Sequence, residues 1–150
     1  VIDLSYNILN GKIPSSIGNA MDLKIVRFNY NELSGGIPTE IFKPAGIENL
    51  ILRSNSLTGS IPREVKNLIN ATSIALDHNE LKGTIPSEFG ELTQLQRLRL
   101  NQNKLIGSAP KITLADDPDD KDGYFQFIAD CGDPSYALQR VLECDSCTMC

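Results

Sequence analysis

Few residues in this 150-residue chain could carry chemistry. Four cysteines (Cys131, Cys144, Cys147 and Cys150) lie near the C-terminal end, the last three at C-x-x-C spacing. Such spacing suits zinc or an iron–sulfur cluster, where thiolates converge on a metal. It suits two disulfides equally well, and four cysteines allow three pairings between which sequence does not choose. Upstream, residues 115–123 read Ala-Asp-Asp-Pro-Asp-Asp-Lys-Asp-Gly. A calcium loop would need alternating acids, a glycine and a distal bidentate Glu. Pro118 and Ala129 stand where two of those ligands belong, so a solvated linker is the expectation. His78, the only histidine, follows Asp77. That pair could move a proton, yet no Ser or Cys nucleophile accompanies it in a motif of known mechanics. Glu88 and Glu91 read as surface acids, and no Walker loop, dinucleotide fingerprint or H-E-x-x-H occurs. No enzyme activity, cofactor or metal is expected.

What positions these residues is a repeat. Asn7, Asn31, Asn55, Asn79 and Asn103 recur every 24 residues. Two residues after each is Leu (9, 33, 57, 81, 105), four after is Gly (11, 35, 59, 83, 107) and seven after is Pro (14, 38, 62, 86, 110). Three before stand Leu4, Phe28, Leu52, Leu76 and Leu100, and five before stand Ile2, Val26, Leu50, Ile74 and Leu98. Alternation of apolar and variable residues there predicts a short strand with one buried face. The Asn side chain both donates and accepts, so it can satisfy backbone groups that no ladder reaches. Gly permits a turn that a Cβ would crowd, and Pro suits the return segment. Ile17, Ile41, Val65 and Phe89, ten after the first four Asn, anchor the far side. A unit alone leaves an apolar flank open, so units must stack.

The pattern L-x-x-N-x-L-x-G-x-I-P at Leu52–Pro62 and Leu76–Pro86 resembles the plant-type extracellular leucine-rich repeat. The resemblance covers about residues 1–112 and implies a right-handed solenoid: a parallel sheet on the concave face, then a second short strand or 3₁₀ turn after the Gly. The expected organisation is five 24-residue repeats over 1–112 (the first truncated at its start), an acidic linker over 113–123 and a small cysteine-rich cap over 124–150. Pro44, Ala45, Ala71 and Ala109 depart from the pattern and predict loosened packing. Tyr124–Cys131 is expected to cover the last repeat. The final cysteine pattern also looks like the tail of secreted or surface leucine-rich-repeat proteins of unicellular algae, which favours disulfides over a metal.

Charge divides along the same border. Residues 1–114 carry 12 basic and 10 acidic side chains, whereas 115–150 carry 2 and 9, so the net −5 arises in the tail. No basic excess points to nucleic acid. No apolar run of about 18 residues forms a membrane span. The chain begins at Val1 without a leader-like segment, which leaves secretion open. One sequon, Asn70-Ala71-Thr72, marks a glycosylation candidate.

The outward strand positions define three concave rows. Six before each Asn are Val1, Ile25, Asn49, Ser73 and Arg97; four before are Asp3, Arg27, Ile51, Ala75 and Arg99; two before are Ser5, Asn29, Arg53, Asp77 and Asn101. Tyr6, Tyr30, Ser54, His78 and Gln102, just before each Asn, form a rim. One-rung spacing predicts Asp3–Arg27 and Arg53–Asp77 ion pairs. That leaves Arg97 and Arg99 as expected unpaired cations. Tyr6, Tyr30, Ile25 and Ile51 are expected anchors, because interfaces favour Tyr and Arg. The partner-binding set is therefore Tyr6, Ile25, Arg27, Asn29, Tyr30, Ile51, Arg53, Asp77, His78, Arg97 and Arg99.

The resemblance implies an extracellular or cell-surface recognition module for a protein, peptide or glycan. A structural or adhesive wall component is the alternative, and the ectodomain of a receptor-like kinase a further one. Ice binding needs a flat row of like residues; the row five after each Asn reads Lys12, Gly36, Ser60, Thr84 and Ser108.

Overall fold

A computed structural model describes residues 1–112, 115, 126–128 and 148–149. The first strand of each unit enters one parallel sheet. These strands are β1 (Ile2–Asp3), β3 (Ile25–Arg27), β5 (Asn49–Ile51), β7 (Ser73–Ala75) and β9 (Arg97–Arg99). They lie in chain order, and β12 (Gln126–Ile128) adds a sixth strand beside β9. Val26 pairs with Leu50, Leu50 with Ile74 and Ile74 with Leu98, so the register advances one whole unit per rung.

A second parallel sheet contains β2 (Asn10–Lys12), β4 (Glu32–Gly36), β6 (Ser56–Gly59), β8 (Glu80–Gly83) and β10 (Lys104–Leu105). β2, β4, β6 and β8 include the repeated Gly and β10 stops before Gly107, while the 3₁₀ turn expected after the Gly follows it in the first four units. Here the Gly of one unit pairs with the Leu of the next, as Gly35 does with Leu57. The Gly holds a φ of about +80° at Gly59, a region costly for a side chain. A short antiparallel pair, β11 (Gly107–Ser108) with β13 (Thr148–Met149), completes the described strands.

Pro14, Pro38, Pro62 and Pro86 each precede a 3₁₀ turn: Ser15–Asn19, Thr39–Phe42, Arg63–Asn67 and Ser87–Glu91. The fixed φ of Pro presets the entry, and its carbonyl accepts the first turn bond, as from the Ile17 N–H at 3.1 Å. The apolar residue of each turn (Ile17, Ile41, Val65 and Phe89) faces one continuous core. Val26, Leu50, Ile74 and Leu98 fill that core from the concave strands.

The Asn column ties successive units together. Asn79 Nδ2 donates to Leu76 O at 3.0 Å in its own unit and to Leu52 O at 3.1 Å in the preceding one. Its Oδ1 accepts the Leu57 N–H at 3.0 Å. Asn31, Asn55 and Asn103 repeat this arrangement. The Asn7 side chain bonds only within its own unit, to Leu4 O and Ser5 O. At that open end Val1, Leu4, Ile8 and Leu9 are exposed, the flank that the stacking argument requires.

Where the pattern departs at Pro44–Ala45 and Ala71, the core side is closed while Ala45 is exposed. Pro44 is buried, and Phe42, Ile47 and Ala71 are fully buried. Phe42 supplies the missing volume: equivalent positions hold Gly18, Lys66 and Gly90. At Gly18 the units approach so closely that a Cβ would stand 2.5 Å from Glu40 O. Since both sides of that contact are backbone or its first side-chain carbon, Gly18→Ala is expected to lower stability by about 1–3 kcal/mol. Thermal unfolding followed by circular dichroism checks this, and an unchanged midpoint would refute the close approach.

The acidic linker, the Ser135–Glu143 region and Cys131, Cys144, Cys147 and Cys150 lie outside the described residues, apart from Ala115.

Candidate functional site: the concave face and its aromatic rim

The rim residue just before each Asn adopts a left-handed backbone, with φ of 55° at Tyr6, 56° at Tyr30 and 56° at His78. Sequence reasoning missed this, because nothing about Tyr, Ser, His or Gln announces positive φ. The turn throws each rim side chain off the strand end in the same direction. Adjacent rungs lie about 4.8 Å apart, which is the separation at which flat rings stack. Tyr6 and Tyr30 do so, with centroids 4.5 Å apart and planes 17° from parallel. The signal available in the sequence was the consecutive Tyr at one column.

Arg53 extends the array. Its Cζ lies 5.3 Å from the Tyr30 ring centroid, within cation–π range. Its Nε forms an ion pair with Asp77 Oδ2 at 3.3 Å. That same oxygen lies 2.9 Å from His78 Nδ1. The Asp77 side chain is only 3% exposed, so it acts from beneath the surface and holds Arg53 against Tyr30. Among the described residues its Oδ1 has no hydrogen-bond partner. Asn29 is buried as well. Both were expected on the partner-binding surface: Asp77 supports it from below, while Asn29 is among the residues that line the concave depression. His78 is committed to this same carboxylate.

At the first rung Arg27 and Asp3 pair at 3.3 Å. The Asp3 carboxyl is held below its ordinary value chiefly by hydrogen bonds from the Ser5 hydroxyl and Ser5 N–H, with Arg27 adding to them. Both ion pairs expected from rung spacing are thus present. The expectation that Arg97 and Arg99 are unpaired is corrected: each is engaged in an interaction.

A shallow depression of about 410 Å³ runs along this face. Tyr6, Arg27, Tyr30, Ile51, Arg53, Arg97 and Arg99 are among the residues that line it. Ile25 is half-buried at its side. The face offers aromatic area, aliphatic area and guanidinium donors on a rigid sheet, a composition suited to peptide or protein contacts. Among the described residues, no cluster of His, Cys, Asp or Glu is arranged to hold a metal. No described helix is long and apolar enough to cross a membrane.

Two stacked parallel ladders, a shared Asn column and prolines entering each turn define a leucine-rich-repeat solenoid, and the family model Leucine Rich Repeat matches residues 1–20 and 46–68. The chain belongs among the leucine-rich-repeat proteins, and its structural likeness is to the extracellular parts of plant receptors. The plant peptide hormone receptor RGFR1, solved in complex with RGF2, is 39% identical with a TM-score of 0.72 over 73% of this chain and 18% of that one. The Arabidopsis receptor kinase HAESA ectodomain, solved with an N-terminally extended IDA peptide hormone, is 32% identical with a TM-score of 0.72 over 77% and 21%. A plant ice-binding protein is 32% identical with a TM-score of 0.67 over 69% and 34%. The chain thus spans about a fifth of either receptor. No curated protein matches significantly.

Proposed function

We propose that this chain is a non-catalytic recognition segment of an extracellular leucine-rich-repeat protein, and that a peptide or protein ligand lies along its concave sheet. The observation that carries the reading is the Tyr6–Tyr30–Arg53 array, ordered by buried Asp77 before any ligand arrives. Groups already held in place lose little freedom on binding. Two solved structures that resemble the chain contain peptide hormones, which supports a peptide over a glycan. The ice-binding relative does not redirect the reading, because the row Lys12, Gly36, Ser60, Thr84 and Ser108 presents no regular array of like groups.

The test is a random-peptide display library panned against the immobilised chain. Saturable peptides should emerge, and Tyr30→Ala should weaken them at least about tenfold, near 1.4 kcal/mol. Peptides that bind Tyr30→Ala as tightly as the parent chain would remove the concave assignment. Failure to select any peptide, with retention on cell-wall polymer, would favour the structural alternative.

A further inference from the structure

The face away from the concave sheet carries its own unexplained feature. A depression of about 630 Å³ lies over the return segments, lined by Met21, Lys43, Ala45, Lys66, Ile69 and others. Met21 and Ile69 are large apolar side chains left 59% and 57% exposed. Asn70 follows Ile69 directly, in the turn after the Arg63–Asn67 3₁₀ segment, and is exposed. Its side-chain Nδ2 donates to Ala45 O at 3.0 Å, so the amide lies against the wall of this depression. Asn70-Ala71-Thr72 is also the chain's single sequon.

We propose that Asn70 is an N-glycosylation site whose first sugars cover the Met21–Ala45–Ile69 depression. The setting rests on the extracellular reading above; the geometry does not. In the transfer, Asn70 Nδ2 attacks the anomeric carbon of a lipid-diphosphate-linked oligosaccharide. An N–C bond forms, the C–O bond to the diphosphate breaks, the lipid diphosphate departs and Nδ2 gives up one proton. Attachment precedes folding, so the folded chain must accommodate the product. A primary amide nitrogen carries two N–H groups. The glycosylated nitrogen keeps one, enough to retain the bond to Ala45 O. Thr72 presents no conflict either, because its partly buried hydroxyl donates to Glu48 O and is engaged only after folding. The apolar face of a pyranose then rests where two exposed apolar side chains otherwise meet water, a contact favoured by area burial.

The full chain is expressed behind a secretion leader in plant or insect cells and recovered from the medium. Peptide:N-glycosidase treatment in ¹⁸O-water is expected to remove a glycan and leave labelled aspartate at position 70. Asn70→Gln is expected to be secreted without that mass, and Thr72→Ser to keep it. Because the leader supplies entry, secreted chain with unmodified Asn70 overturns the site and leaves the extracellular reading untouched. The covering role has its own readout. Hydroxyl-radical oxidation of Met21 is expected to fall several-fold in the glycosylated chain relative to the enzymatically deglycosylated one. Equal oxidation of the two would overturn the covering.

Discussion

Asn79→Ala is expected to reduce the unfolding free energy by about 1–3 kcal/mol. The truncation removes the side-chain acceptor of the Leu57 N–H, and it takes one of two donors from Leu52 O and Leu76 O, which keep Asn55 Nδ2 and Asn103 Nδ2. Asn79 is itself buried. A buried orphan of this kind costs about 1–3 kcal/mol, and a water admitted into the gap recovers part of that. Asn7→Ala supplies the contrast. Its bonds are exposed and stay within one unit, so the expected loss is below about 1 kcal/mol. Urea unfolding of the two variants measures both values. Similar losses at positions 7 and 79 would mean that the amides do not tie neighbouring units together.

Phe42→Ala carries the second large effect, about 3–5 kcal/mol. The ring is fully buried, while Gly18, Lys66 and Gly90 occupy the same place in other units. Truncation therefore removes volume that no repeated column supplies. Next to it, Pro44 stands where two other units have Leu68 and Leu92, and Ala45 is exposed, so the neighbourhood has little spare side chain with which to refill the space. A loss under about 1 kcal/mol in denaturant titration would show that the ring is not part of the core.

Both predictions depend on how far each feature was legible in sequence. The Leu, Asn, Gly and Pro columns were legible because each is the same packing constraint imposed five times. Five copies in phase reveal strand, turn and stacking together, and the Asp3–Arg27 and Arg53–Asp77 pairs followed from rung spacing alone. Features that occur once were not legible. Phe42 fills a place that sequence marked as loose. The positive φ at Tyr6, Tyr30 and His78 lacks the Gly or Asn that ordinarily signals it. The depth of Asp77 depends on how the strand end turns, which row assignment ignores. For that reason Tyr6 and Tyr30 are legible as anchors, whereas their stacking and the buried carboxylate behind Arg53 are not.

That array is the central claim, and side-chain footprinting tests it most directly. The chain, carrying no glycan, is exposed to hydroxyl radicals with and without a peptide selected by panning. Tyr6, 75% exposed and stacked on Tyr30, should become protected together with Tyr30, while Met21 and Ile69 on the opposite side keep their reactivity. Protection of Met21 and Ile69, with both tyrosines as reactive as in the free chain, would contradict the concave account.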